Sequence, residues 1–308
     1  MNMQNYLLVF LSVIGLAANF CLTKLYQNHA GAGMRVSVIF NIITGAFTAA
    51  IFFIINGVMN GFSLEITSFS LLMAALLILF CGAYALIGFK IISMGSMAVY
   101  TMFLMLGGMM LPYFFGLIYL NEEFSYLRLI GLVLMVVSIA LSGMEGSNEQ
   151  KKKGSLLFFV LCLIVFCLNG SGSIVSKIHQ LPQNESLTIS PTAFVMLAGI
   201  IRFVSFSLLY LVLWLRDRSK PTNEAPAPLN MTPKIVGIMF AFSAVDGLSY
   251  LLQLIGAAKL PATVLYPMIT GGSVVLTAVA GLLFFKQKLN LKATIGIVLC
   301  FVATLLFL

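Results

Sequence analysis

Ten long apolar runs follow one another along the chain, separated by short segments of charged residues and turn formers. A bilayer core of about 30 Å needs roughly 20 apolar residues in a helix, so the runs predict an all-α integral membrane protein with ten transmembrane helices. The predicted spans cover residues 4–24, 34–57, 67–90, 95–120, 126–143, 155–176, 192–215, 234–257, 262–285 and 290–308.

One stretch of the pattern occurs twice. Residues 96–137 return 165 positions later, without a gap, as residues 261–302, and ten of the 42 aligned positions are identical. The matches include glycine pairs such as Gly107 and Gly272, whose placement follows backbone geometry rather than hydropathy. The sequence therefore predicts an internal duplication, in which one structural unit occurs twice.

The repeat defines the domain organisation. We expect a first five-helix repeat at residues 1–143, a polar cytoplasmic linker at 144–154 and a second five-helix repeat at 155–308. Because five is odd, the second copy must enter the membrane the opposite way round from the first. The sequence thus predicts two inverted five-helix repeats, an arrangement that builds transporters around a site at the membrane midplane.

Composition supports a membrane protein and indicates its orientation. The chain is 61% hydrophobic and 8% charged, far below the roughly 25% charged residues of soluble domains. Loops after odd-numbered spans hold twelve Lys and Arg residues, and loops after even-numbered spans hold three, namely Arg128, Lys177 and Lys259. The positive-inside rule then places both termini outside a membrane that we expect to be the bacterial cytoplasmic membrane. The net charge of +8 belongs to these loops and does not indicate nucleic acid.

Polar residues inside the spans recur at helical spacing, which places them on single faces. Such stripes either join helices to one another or line a water-accessible cavity, and both alternatives are open at this point. The stripes comprise Ser37, Asn41, Thr44 and Thr48 in the second span, Ser243, Asp246, Tyr250 and Gln253 in the eighth, and Thr263, Tyr266, Thr270, Ser273 and Thr277 in the ninth.

Asp246 is the one carboxylate deep within a predicted span. An ionised Asp at the centre of a membrane helix costs about 2.5 to 3.5 kcal/mol on insertion scales, so it should be paired, protonated or used. Used, it would take up a proton or bind a substrate amine. As a static pair, its partner would be Arg202 or Arg35.

Other features mark flexible or close-packed backbone. The sixth span contains Asn169-Gly-Ser-Gly-Ser173, which is either a flexible binding segment or a site of close helix packing. His29 and His179 lie at predicted loop edges and read as interfacial residues. The candidate hinges and gates are Gly107, Gly108, Gly271, Gly272, Pro112 and Pro267.

A resemblance to a known family rests on particular residues. Ser190-Pro-Thr192 leads to Arg202, and Leu120-Asn-Glu-Glu-Phe124 is followed by Gly131. With the two five-span halves, these motifs make the chain resemble EamA-type ten-helix members of the drug/metabolite transporter superfamily. The resemblance implies roles for Glu122 at the end of the fourth span and for Arg202, with Arg35 its counterpart.

The chain departs from the resemblance in three places. The second-half position equivalent to Glu122 is Gln287, and residues 4–23 hold no carboxylate, unlike the first helix of small four-helix multidrug members. Similar proteins often have cytoplasmic termini, which conflicts with the distribution of Lys and Arg in the loops.

Together these patterns predict a secondary active transporter that moves a small polar or amphipathic metabolite by alternating access, with Asp246 available for proton coupling. The alternative is a cationic multidrug or amine exporter; a passive channel or an embedded enzyme is disfavoured. We expect a monomer or homodimer, a small-molecule substrate, the lipid bilayer as surroundings, and no catalytic residue, metal or cofactor. The candidate substrate-binding residues are Asn41, Tyr100, Asn169, Asp246, Tyr250, Gln253, Tyr266 and Thr270.

Overall fold

The computed structural model describes residues 3–31, 33–62, 66–94, 97–143, 156–218, 231–285 and 291–308, and within them the chain is helical and has no strand. The six-residue 3-10 helix Pro182–Leu187 accompanies ten α-helices. They are α1 (Met3–Ala30), α2 (Met34–Asn60), α3 (Ser68–Met94), α4 (Met97–Ile118), α5 (Tyr126–Gly143), α6 (Leu156–His179), α7 (Pro191–Arg218), α8 (Pro233–Lys259), α9 (Ala262–Phe285) and α10 (Leu291–Leu305).

The all-α membrane fold is confirmed. Eight of these helices are long and apolar enough to cross a membrane, and α5 and α10 hold the shorter apolar stretches Tyr126–Leu141 and Leu291–Leu305. The ends of most helices fall within a few residues of the predicted spans. The largest difference is in α1, which continues past Lys24 to Ala30 because a long lysine side chain can reach a polar region without ending a helix. Gly31 ends it, with a φ of 85°.

Helix pairing follows the repeat. The principal partners of α1 are α8 and α9, and those of α6 are α3 and α4. Exchanging the first five helices with the last five turns each of these pairings into another observed one, while α2 with α7, α4 with α9 and α5 with α10 map onto themselves. The two sets of helices therefore interlock rather than form separate lobes. The domain boundaries stay a prediction, and the linker at 144–154 lies outside the described residues.

Glycines permit the closest helix approaches. A Cβ at Gly170 of α6 would lie 2.6 Å from the carbonyl oxygen of Gly107 of α4, and one at Gly107 would overlap the carbonyl of Phe166. Gly45 of α2 and Gly199 of α7 face each other in the same way. A Cβ added to either glycine would lie 3.1 Å from the carbonyl oxygen of the other. Because α6 is helical throughout, the segment that begins at Asn169 is not unwound, and its Gly170 packs closely on α4. Its role in binding stays a prediction.

The two ends of the bundle differ. The hydroxyl of Tyr6 donates to the carbonyl of Leu308 at 3.2 Å, so the beginning of α1 and the end of α10 lie at one end, together with the C-terminal ends of α2, α4, α6 and α8. We call this the terminal end and the other the opposite end. That the terminal end faces outward stays a prediction from the distribution of Lys and Arg.

Candidate functional site

A cavity of about 500 Å³ lies between the two sets of helices. Its wall comes from α1, α2, α3, α6, α7 and α8, with Tyr266 contributed by α9. The lining runs from Tyr266 and Leu254 near the terminal end toward Thr23 and Phe242 near the opposite end. The polar residues on it include Asn19, Thr23, Asn41, Thr48, Asn169, Ser173, Ser176, Arg202, Asp246, Tyr250, Gln253 and Tyr266.

The charged centre of the cavity is an ion pair. Asp246 stands at the middle of α8, and its Oδ2 accepts from Nη1 of Arg202 on α7 at 3.4 Å. Asn19 of α1 donates to Oδ1 of Asp246 at 2.9 Å. The Nε of Arg202 donates to Oδ1 of Asn41 on α2, also at 2.9 Å. Four helices thus hold one pair of opposite charges at the depth where an unpaired charge would be most costly.

The ion pair remains open to the cavity. The side chains of Arg202 and Asp246 are 21% and 33% exposed, and a single 3.4 Å contact joins them instead of a two-bonded fork. Of the two arginines that the sequence offered as a partner for Asp246, Arg202 and Arg35, the structure therefore shows Arg202. Arg35 stands in the first turn of α2, outside the cavity lining.

Two buried polar atoms on the cavity wall have no hydrogen-bond partner among the described residues. They are Oδ1 of Asn19 and Oγ1 of Thr48, on side chains of residues that are each 6% exposed. Buried polar atoms in proteins nearly always have hydrogen-bond partners, so unsatisfied atoms indicate a site for a bound group or an ordered water. They lie on the same wall as the ion pair.

Other predicted site residues already make contacts between helices. The hydroxyl of Tyr266 donates to the carbonyl of Ser173 at 2.6 Å, and the Tyr250 and Ser176 hydroxyls are 2.8 Å apart. Nδ2 of Asn169 donates to the carbonyl of Leu104 at 2.7 Å. These residues both join helices and line the cavity, so the two readings of the polar stripes are not exclusive.

Two predicted binding residues lie elsewhere. Tyr100 donates to the carbonyl of Tyr84 at 3.5 Å, and the carbonyl of Thr270 accepts from the hydroxyl of Ser273 at 2.9 Å. Neither residue is among those that line the cavity. Gln253 does line it, and its amide lies 3.5 Å from the hydroxyl of Ser249.

Glu122 caps a helix of the second repeat. Its carboxylate accepts from the backbone nitrogen of Ala262 at 2.6 Å, and from the nitrogen and hydroxyl of Thr263 at 2.8 Å each. A carboxylate satisfies the free N–H groups at a helix start and complements the helix dipole. The loop after α4 is thereby tied to the first turn of α9. The equivalent Gln287, with Lys286 and Lys288, lies outside the described residues.

Lys177 and His179 correct the sequence analysis, which placed them in a loop and at a loop edge. Lys177 is 5% exposed, and its Nζ donates to the carbonyls of Ala257 and Leu260 at 2.7 Å each. His179 is 1% exposed, stacked on Phe194 with ring centroids 3.8 Å apart, and its Nε2 lies 2.9 Å from the hydroxyl of Ser70. The four-residue spacing of Asn169, Ser173 and Lys177 was the signal that could have placed Lys177 on the inner face of α6.

The predicted hinges occupy packed positions. Pro112 and Pro267 lie inside α4 and α9, both of which are helical on either side of the proline. A Cβ at Gly272 would come 2.9 Å from Cγ1 of Val13 on α1, which repeats the contact between Gly107 and α6. The hinge roles of these four residues stay predictions.

Comparisons with known proteins agree with the fold. The sequence model of the EamA-like transporter family matches residues 152–308. A solved crystal structure of another protein superposes on 99% of this chain and 96% of its own, with a TM-score of 0.76 at 12% sequence identity. At that identity the likeness concerns the fold alone. No curated protein matches the sequence.

Proposed function

Because the chain belongs to the EamA-like transporter family, we propose that it is a secondary active transporter that carries a small polar metabolite by alternating access through the cavity around Asp246. The proposal is supported by the position of the cavity, which lies between the two interlocked sets of helices and at the middle of α8. Transporters built from paired repeats bind their substrates at this depth.

The observation that carries the substrate class is the balance of charge on the cavity wall. Among the described lining residues, the charged side chains are one arginine and one aspartate, Arg202 and Asp246. A ligand with a net charge would add an uncompensated charge to a partly dehydrated site, which is costly. A ligand with no net charge avoids this cost. We therefore propose a zwitterionic or strongly dipolar substrate.

Such a substrate would insert at the long Arg202–Asp246 contact. Its anionic or acceptor group would take the guanidinium of Arg202, and its cationic or donor group would take the carboxylate of Asp246 and Oδ1 of Asn19. The hydroxyl of Thr48 supplies a further polar contact. The apolar part of the ligand would lie against Leu77, Val195 and other apolar residues of the wall.

A cationic drug or amine exporter is the second candidate from the sequence. It draws on the 33% exposure of the Asp246 side chain to the cavity. Arg202 opposes it, because a cation that displaces the guanidinium leaves that group without its carboxylate partner. A ligand screen that includes simple amines distinguishes the two classes.

Proton coupling through Asp246 belongs to the same proposal. Arg202 and Asn19 bond this carboxyl, and the thiol of Cys81 and the hydroxyl of Tyr250 lie on the same cavity wall. A proton taken up on Asp246 would release the guanidinium of Arg202 from its partner. Uptake into vesicles driven by a pH gradient should then be lost in Asp246→Asn. If that variant folds and keeps the parent's dependence on the gradient, Asp246 does not couple protons.

The substrate class is tested by thermal unfolding of the purified protein with zwitterions, amines, carboxylates and sugars. A ligand at 100 times its dissociation constant stabilises a protein by about 2.7 kcal/mol, which is easily measured. We expect zwitterions to stabilise the parent and the control Glu123→Gln, which removes an exposed carboxylate from the loop after α4. Asp246→Asn should lose the effect. Stabilisation by amines alone would favour the exporter, and stabilisation by none of the four classes would contradict the proposal.

A further inference from the structure

The helices that pair at the cavity form two groups. The first group contains α1, α8 and α9, and the second contains α3, α4 and α6, with α4 also packed on α9 across the groups. For a cavity between them to open alternately at its two ends, contacts that join the groups at one end must break when that end opens. The side-chain contacts that meet this description link residues of α6 or the loop after α4 to α8 or α9.

Contacts of this kind are concentrated at the terminal end. Lys177 of α6 reaches the carbonyls of Ala257 and Leu260, which stand at the last turn of α8 and directly after it. Tyr266 and Glu122 make the further links, to Ser173 and to the first turn of α9. Leu254, Ala257 and Leu260 are 0%, 2% and 2% exposed, so the packed side chains and these hydrogen bonds block the cavity at its terminal end.

Lys177 makes the contact that is most sensitive to separation of the groups. Its ammonium group is buried, and its two described acceptors are backbone carbonyls at a helix C-terminus, where the helix dipole favours a positive charge. Moving α8 away would remove both acceptors at once. The ammonium group must then bond to water or to new acceptors. The hydrogen bonds of Lys177 therefore favour the conformation in which this end is closed.

The repeat supplies a second lysine in the corresponding place. Counted from the first described residue of each helix, Lys24 of α1 occupies the position that Lys177 occupies in α6. Counted in the same way, Ile92 of α3 occupies the position of Ala257 in α8, and both of these helices have 27 residues. In a conformation in which the two repeats exchange roles, the contact from Lys177 to α8 is therefore replaced by a contact from Lys24 to the last turn of α3, at the opposite end.

We propose that Lys177 and Lys24 are alternating latches. Lys177 holds the terminal end closed, and Lys24 binds the last turn of α3 when the opposite end closes. The inference rests on the proposed alternating-access function and adds the residues that hold each closed state. It assigns Lys177 a positioning role in the transport cycle, with no direct contact to the substrate.

Cys81, which lines the cavity, is the natural reporter for the test. A protein that keeps Cys81 as its sole cysteine is placed in oriented vesicles and treated with a membrane-impermeant thiol reagent from one side at a time. In the parent we expect modification from the opposite end. In Lys177→Met we expect modification from the terminal end to become about tenfold faster or more, in line with the loss of hydrogen bonds made by a charged group.

Three further variants make the result specific. Lys177→Arg keeps several donors and a positive charge and should behave as the parent does, and Lys177→Gln replaces the Met variant if that protein does not fold. Lys24→Met, added to Lys177→Met, should slow modification from the terminal end again, because it removes the latch of the state open there.

Unchanged sidedness in Lys177→Met, with only a lower melting temperature, would show that Lys177 is a helix cap and would overturn the proposal. No effect of Lys24→Met in the double variant would overturn the exchange between the two lysines. Because the assay needs no substrate, a failure of the substrate proposal leaves this test intact. A shift in sidedness without measurable transport would contradict the proposed function and leave the latch standing.

Discussion

At the scale of single residues, the cavity is defined by groups whose bonding is incomplete. The contact between Arg202 and Asp246 is single and long, and within the part of the chain that the structure describes Oδ1 of Asn19 and Oγ1 of Thr48 have no partner. An ion pair with a purely structural role needs no exposure to a cavity and no neighbouring polar atoms without hydrogen-bond partners. The combination fits a wall whose hydrogen bonds are completed by a ligand.

Thr48 allows the ligand contact to be separated from stability. Replacing Thr48 by Val removes a buried hydroxyl that bonds to none of the described residues, so the free energy of unfolding without ligand should stay the same or rise by up to about 1 kcal/mol. The stabilisation by a bound zwitterion should fall. Thermal unfolding with and without ligand measures both quantities.

Thr44→Val is the matched control, one turn earlier on α2. The Thr44 hydroxyl is buried and donates to the carbonyl of Phe40 at 2.7 Å, and the residue does not line the cavity. This variant should lower the free energy of unfolding by about 0.5 to 1.5 kcal/mol and leave the ligand-induced shift unchanged. An equal ligand-induced shift in Thr48→Val and the parent would remove Thr48 from the binding site.

Glu122→Gln tests the cap on α9. The amide has one acceptor oxygen where the carboxylate has two and a charge, so it cannot serve the three donors of Ala262 and Thr263 equally well. We expect the free energy of unfolding to fall by about 1 to 2 kcal/mol in thermal denaturation. Glu123→Gln, at the exposed neighbouring position, should unfold as the parent does. Equal melting temperatures for Glu122→Gln and the parent would show that the cap contributes nothing.

Some of these residues could be named from the sequence and others could not. Asp246 stands out because a carboxylate in an apolar run needs a partner, and Arg202 was one of two candidates. Lys177 and His179 lie near the end of an apolar run, where a polar residue usually means a loop. Their burial depends on which other helix ends converge there, and a single sequence does not contain that information.

At the scale of helices, glycine positions determine how closely neighbours approach. Gly107 meets Phe166 of α6, and its repeat partner Gly272 meets Val13 of α1. The matched glycines of the repeat thus serve matched contacts, between α4 and α6 in one case and between α9 and α1 in the other. The sequence marked these glycines as candidate hinges, and the structure shows close contacts there with particular partner helices.

A Cβ at Gly107 should therefore be costly. Gly107→Ala would overlap a backbone carbonyl of Phe166, which cannot move without displacing α6. Overpacking of this kind costs about 1 to 3 kcal/mol, and thermal unfolding in detergent would show it.

Gly237→Ala is the matched control, within α8. A Cβ at Gly237 meets nothing within 4 Å, so the change should be neutral or stabilise the protein by up to about 1 kcal/mol through helix propensity. If both alanine variants melt at the same temperature, close packing of α4 on α6 is not what requires glycine at position 107.

Helix positions and helix pairing differ in how well a sequence determines them. Apolar runs and their flanking residues placed the ten helices, because the thickness of the bilayer sets the length of each run. The approach of Gly45 to Gly199 was not predicted. Neither glycine falls within the ungapped repeat, and in an apolar helix a lone glycine does not reveal which neighbour it faces.

At the scale of the whole molecule, the repeat and the cavity belong together. Pairings that persist when the two sets of helices are exchanged allow two related conformations, in which the ends of the cavity swap roles. The present structure is closed beyond Leu254, at the end where Lys177 and Glu122 join the two groups of helices. A carrier needs both conformations, whereas a channel needs only one continuous path.

Counterflow in proteoliposomes tests this difference most directly. The labelled zwitterion that best stabilises the protein is added outside vesicles loaded with the same unlabelled compound. We expect uptake that saturates, is accelerated by internal ligand, persists in Glu123→Gln and is lost in Asp246→Asn. Flux that neither saturates nor responds to internal ligand, or that is unchanged in Asp246→Asn, would contradict a carrier that alternates around the Arg202–Asp246 pair.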